Sequence, residues 1–110
     1  LPLLRKADDA AVVFVLDTAE RGQQAYWGGY GLAQAAGTGL VHMLQDELAG
    51  TRVRVSGLNP GPMRSPLRAK SHVEEDDVLA RDPAACVADA VTLLSADGAA
   101  HRGQVWSPRA

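Results

Sequence analysis

The sequence has a single cysteine, Cys86, among 110 residues. No internal disulfide can form, and a reducing, cytoplasmic setting is the simplest expectation. Charge of either sign is not in excess: 11 Lys and Arg stand against 13 Asp and Glu, for a formal net charge of -2. Nothing therefore draws the chain electrostatically to nucleic acid or an anionic membrane, and neither is expected as a partner. Long hydrophobic runs are missing too. The longest, Ala10 to Leu16, has seven residues, where a membrane-spanning helix needs about 20. The opening residues carry no secretory signal pattern and no initiator Met. Leu1-Pro2-Leu3-Leu4 reads as the tail of a helix, so a piece of a longer chain is expected. His42, His72 and His101 lack the ligand spacing of a zinc site, and no metal is expected.

What is present is ordinary for a globular protein: 46% apolar and 22% charged residues. The length suits one domain or part of one. A compact fold of this mass buries roughly two-thirds of its unfolded surface, so a core needs no cross-links.

Ala10 to Leu16 is a continuous apolar run ending at Asp17-Thr18, the pattern of a strand buried on both faces. Helical spacing follows from Gly29 to Leu48, with Leu32, Ala36, Leu40, Met43 or Leu44, and Leu48 as the expected buried stripe. Ala33, Ala35, Ala36, Gly37 and Gly39 make this helix thin enough for close approach, and Gly50 stands where a C-terminal cap belongs. Arg52 to Leu58 alternates as a second strand, stopped by Asn59-Pro60-Gly61-Pro62. The stretch from Met63 to Ala80 reads as a long functional loop, with the solvated acidic run Glu74 to Asp77 inside it. Asp82-Pro83 starts a helix to about Ser95, expected to bury Val87, Val91 and Leu94. Cys86 reads as a small core residue, and Trp27 and Trp106 as packing anchors. Gly98 reads as a stop, and Gly103 to Trp106 as a last short strand. The order β-α-β-α-β implies right-handed crossovers and a parallel α/β sheet, layered α/β/α.

Tyr26-Trp27-Gly28-Gly29-Tyr30-Gly31-Leu32-Ala33-Gln34-Ala35-Ala36, then Val53-Arg54-Val55 and Asn59-Pro60-Gly61, resemble the C-terminal half of a short-chain dehydrogenase/reductase. The closing Leu93-Leu94-Ser95 and Gly103-Gln104-Val105-Trp106 resemble the last helix and strand of that family. The resemblance runs through nearly all of the chain. It implies a partial Rossmann-like fold whose N-terminal dinucleotide-binding half is absent here. It also implies hydride transfer between NAD or NADP and a small carbonyl or alcohol substrate. Tyr30 matches the catalytic tyrosine, which exchanges a proton with the substrate oxygen. Pro60, Gly61, Met63 and Ser65 match the loop on the nicotinamide end of the cofactor. By the same match, Arg64 and Arg68 flank that loop.

Two positions depart from the family pattern. A phenol ionises near pH 10 and needs a nearby cation to act at neutrality. The family supplies a lysine four residues after the tyrosine, where this chain has Gln34, suited to a ribose hydroxyl. A substrate-polarising serine belongs thirteen residues before the tyrosine, and that position is Asp17, with the hydroxyl of Thr18 beside it. Asp17 has two readings, a loop-capping side chain or a member of the site. A carboxylate there acts on the phenol in the same direction as loss of the lysine, against its ionisation. The complete parent is thus expected to be an NAD(P)-dependent oxidoreductase, or alternatively a catalytically degenerate homologue acting as a binding or oligomerisation module. The 110 residues alone lack a Gly-rich phosphate fingerprint and are expected to bind no dinucleotide. An unpaired apolar edge at Val12 to Leu16 makes a homo-oligomer the expected partner state.

Overall fold

The computed structural model describes residues 1–17, 25–26, 28–61 and 81–108. A short helix α1 (Pro2–Lys6) leads into β1 (Ala10–Val15), α2 (Gly28–Glu47) and β2 (Val53–Leu58). A 3-10 turn (Pro83–Cys86) opens α3 (Val87–Leu94), a second 3-10 segment covers Ala96–His101, and β3 (Val105–Trp106) ends the order. The strands form one parallel sheet in the order β1-β2-β3, so the α/β architecture read from the pattern is present. Ala10 pairs with Val53 and Val15 with Leu58, while Gly57 and Leu58 pair with Val105 and Trp106. The described helices include none long and apolar enough to cross a membrane.

The central strand β2 is buried nearly throughout. Val53 and Val55 join Ala10, Val41 and Leu48 in the core, with Leu4, Ala7, Val12, Phe14, Leu16 and Leu44 packed around them. At the start of α3, Asp82 takes the capping role expected of it, its carboxylate accepting from the Ala84 N–H at 3.0 Å.

The stripe expected on α3 is displaced, and that on α2 holds only at its C-terminal end. On α2, Leu32 is 68% exposed, and Ala36, Leu40 and Met43 are also exposed, while Gly31 and Val41 face inward; Leu48 is buried and Leu44 packs on the core, as expected. Gly37 sets this rotation. A Cβ there would lie 2.6 Å from a Leu16 methyl, so the helix seats its glycine against the end of β1. On α3, Val87, Val91 and Leu94 are exposed, and Cys86, Asp89 and Leu93 are buried instead. The 3-10 segment folds back on the Leu93 side, and Asp89 lies 4.0 Å from Arg81. A buried carboxylate beside a guanidinium breaks the apolar periodicity that a helical stripe relies on.

The end of α2 also differs. Gly50 does not take a left-handed conformation. The Leu48 carbonyl instead accepts from the Thr51 N–H, the Thr51 hydroxyl and Arg102. Arg102 donates further to the carbonyls of Thr51 and Val53, placing a cation at a helix C-terminus. Because β3 has only two residues, the Val55 N–H is met by Gln45 Oε1 at 2.8 Å. Cys86 is buried as expected, and Trp106 stacks on His101 with ring centroids 4.4 Å apart.

Glycines separate tight from open positions. A Cβ on Gly98 would lie 2.3 Å from the Leu93 carbonyl oxygen, whereas Gly39 in α2 has nothing within 4 Å. In urea denaturation, Gly98→Ala is expected to lower stability by about 2 kcal/mol or more. Gly39→Ala is expected to raise it by about 0.5–1 kcal/mol through helix propensity.

Candidate active site

Parallel sheets present their ligand sites at the carboxyl ends of the strands. Here the β1 ladder is extended by the Leu16 N–H donating to the Leu58 carbonyl at 2.8 Å. Asp17 is the next residue. Its backbone N–H donates to Gln34 Oε1 at 2.9 Å, and its carboxylate Oδ2 accepts the Tyr30 hydroxyl at 2.9 Å. Tyr30 and Gln34 stand one turn apart near the start of α2, so one helix face delivers both side chains to one residue. All three are half-buried. The chain enters α2 through Gly28 at φ +49, which a left-handed turn favours.

Gln34 does here what a lysine cannot. An ammonium has donors only, whereas the carboxamide oxygen accepts a strand-end N–H. The contact fixes the backbone of Asp17 while its carboxylate meets the phenol. A carboxylate accepting the hydroxyl favours the protonated phenol.

The second half of the site follows β2. The Asn59 N–H donates to the Trp106 carbonyl at 2.8 Å, and Asn59 Oδ1 accepts from the Gly61 N–H at 3.2 Å. This is an Asx-type turn, with Gly61 at φ +82 and Pro60 buried. The sequence reading took Asn59 only as part of a strand stop. An Asn ahead of Pro-Gly was the available signal for its turn-shaping bond. The structure thus brings Asp17, Tyr30 and Gln34 together and places Pro60 and Gly61 past the end of the neighbouring strand. Thr18, Met63 and Ser65 lie outside the described residues, as do Trp27, Arg64 and Arg68.

A family model for the short chain dehydrogenases matches residues 1–76. The chain belongs to the short-chain dehydrogenase family. An uncharacterized oxidoreductase of Escherichia coli K12, YciK, is 32% identical over 106 residues, covering 96% of this chain and 42% of that protein. Among solved structures, a short-chain dehydrogenase of Salmonella enterica serovar Typhi superposes with a TM-score of 0.89 at 30% identity. The match covers all of this chain and 45% of that one. One from Escherichia coli CFT073, solved in complex with NADPH, superposes at 0.87 with 30% identity, over 99% of this chain and 45% of the other. The chain therefore spans less than half the length of these short-chain dehydrogenases.

The Tyr30 contact has a measurable energy. Tyr30→Phe removes a hydrogen bond to a charged acceptor and is expected to cost about 1–2 kcal/mol in chemical denaturation. Tyr26→Phe, at a fully exposed position, is expected to change stability by less than about 0.5 kcal/mol.

Proposed function

We propose that this chain is the C-terminal portion of an NAD(P)-dependent oxidoreductase domain of Rossmann-like fold and supplies its reaction centre. The observation that carries the reading is the meeting of Tyr30, Gln34 and Asp17 at the carboxyl end of β1, next to the Asn59–Gly61 turn at the end of β2. The short-chain dehydrogenases solved with NADPH and with NADP support the cofactor class.

The residues present fit one end of such a cofactor. The left-handed Gly61 and the Asx-type turn give a narrow backbone ledge at the site where parallel sheets bind ligands. Pro60 and Gly61, with Met63 and Ser65, would hold the nicotinamide end, and the Gln34 amide group a ribose hydroxyl. The pyrophosphate needs a Gly-rich strand-to-helix loop, which these 110 residues do not contain. When bound, the cofactor supplies or accepts hydride. Tyr30 holds the proton at the substrate heteroatom, Asp17 orients the phenol, and Gln34 holds Asp17. The carbonyl or alcohol substrate class rests on the family resemblance. A cytoplasmic setting rests on the lone cysteine.

A longer polypeptide carrying this chain is expected to bind NADPH at micromolar concentration, read by quenching or enhancement of cofactor fluorescence. The isolated 110 residues are expected to bind far more weakly. No binding by the longer polypeptide overturns the oxidoreductase reading.

A second reading, a family member that binds without turning over, is favoured by Gln34 at the lysine position and Asp17 at the serine position. On that reading, the double variant Asp17→Ser, Gln34→Lys gains carbonyl reduction of about a hundredfold or more over the parent. No gain with cofactor bound counts against that account of the departures. We also propose that the chain self-associates, supported by the exposed Leu32, Leu40 and Met43 of α2 and by β1, which pairs on one side only among the described residues. Sedimentation at micromolar concentration is expected to show a dimer or larger species, and a clean monomer refutes it.

A further inference from the structure

One peptide group joins the two halves of the site. The carbonyl of the Leu58–Asn59 peptide accepts the Leu16 N–H at 2.8 Å, and its N–H donates to the Trp106 carbonyl at 2.8 Å. Leu16 precedes Asp17, and Asn59 opens the turn to Gly61 through its side chain. Because the group is planar, its orientation fixes where the turn starts relative to the end of β1. On the β1 side it is backed by a ladder of six residue pairs. On the other side β3 offers only Val105 and Trp106, and so short an edge strand opens readily unless something else secures it. The Trp106 ring lies on the His101 ring, with centroids 4.4 Å apart and planes inclined by 22°. Stacked rings near this separation attract one another. His101 is followed by Arg102, whose guanidinium holds the carbonyls of Leu48, Thr51 and Val53. The stack therefore ties the last rung of β3 to an anchored segment.

We propose that His101 and Trp106 are positioning residues for the nicotinamide end of the cofactor, acting through Asn59. This rests on the nicotinamide-dependent reading above and adds to it the pair that sets the turn. The turn has one internal hydrogen bond, from the Gly61 N–H to Asn59 Oδ1 at 3.2 Å, at the long end of the normal range. It takes its orientation from the residue on which it starts. The stack holds Trp106, the Trp106 carbonyl orients the Leu58–Asn59 peptide, and the Asn59 carboxamide passes that orientation to Gly61 at φ +82. The rings need not touch the cofactor. Their contribution is to keep the turn at a set distance from the strand end that carries Asp17. Group transfer tolerates little misplacement, and a shift of about 1 Å costs on the order of a hundredfold in rate. A turn held in place before binding also lowers the ordering cost of receiving the nicotinamide.

The test titrates the full-length protein with two probes by isothermal calorimetry: NADPH, and adenosine 2′,5′-bisphosphate, which carries the other end of the cofactor alone. His101→Ala removes the stack and keeps the backbone. It is expected to weaken NADPH binding about fivefold or more and to leave the bisphosphate within about twofold. His101→Gln serves the same purpose should the alanine variant fold poorly by circular dichroism. His101→Phe, which keeps a stacking ring, is expected to bind NADPH within about twofold of wild type. Asn59→Ala is expected to weaken NADPH about tenfold or more, and Asn59→Asp, which keeps an acceptor for the Gly61 N–H, to restore most of the loss. General damage to the fold would weaken both probes alike, so the contrast between them marks a displaced nicotinamide end. A cofactor-free arm follows amide hydrogen exchange by NMR, with the Asn59 N–H of His101→Ala expected to exchange about tenfold faster or more than in wild type. NADPH affinity unchanged in the folded His101 variants, equal loss of both probes, or unchanged Asn59 exchange overturns the inference. Faster Asn59 exchange with no NADPH binding by the wild type supports the hold of the stack on the turn and counts against the cofactor reading instead.

Discussion

The site depends on what happens one residue past the β1 ladder. Sheet hydrogen bonding carries the chain to Leu16, and the next N–H, that of Asp17, is taken by a helix side chain instead of a strand. That exchange of partner ties the strand end to α2. It also means that whatever fixes the rotation of α2 fixes the site. Gly37 against Leu16 is that constraint: the helix approaches the sheet where it has no side chain, and Tyr30 and Gln34, about two turns and one turn earlier on a similar face, come down onto Asp17.

The same rotation accounts for the apolar surface of the helix. With Gly31, Val41 and Leu48 inward, Leu32, Leu40 and Met43 have no place against the sheet. The opposite end of β2 is closed by polar devices. Arg102 gathers three carbonyls from the α2–β2 connection, and Gln45 stands in for a strand partner at Val55. Each is a half-buried side chain that gives a partner to a backbone group of the buried strand or its approach. Neither side chain advertises its role in a hydropathy pattern.

This marks where the sequence is legible. Strand and helix order, parallel pairing and the approximate spans were readable because apolar runs, Pro and Gly punctuate them. The Asp82 cap was readable from its dipeptide. The buried face of α3 was not, and that of α2 only at Leu44 and Leu48, because both helices carry apolar residues on more than one side. Glycine at 37 and aspartate at 89 decide which side goes in. At the site, the family resemblance pointed to Asp17, Tyr30, Gln34 and the Pro60-Gly61 turn. What it left open was how Gln34 is used, since a carboxamide can give or accept hydrogen bonds and only the strand end shows which atom is engaged. The shaping role of Asn59 was equally a matter of a side chain reaching two residues ahead.

The two departures from the family pattern therefore belong together. A lysine at position 34 would compensate a carboxylate at position 17 but would leave the Asp17 N–H without its acceptor. A serine at position 17 would keep the backbone N–H that Gln34 holds but would remove the carboxylate that accepts the Tyr30 hydroxyl. Asp17 and Gln34 are mutually consistent: the amide fixes the backbone and the carboxylate accepts the hydrogen bond of the phenol. A randomly decayed site would show polar groups without matched donors and acceptors, because nothing would select for their pairing. In this chain the substituted residues satisfy one another, the Gln34 carboxamide oxygen accepting the Asp17 N–H.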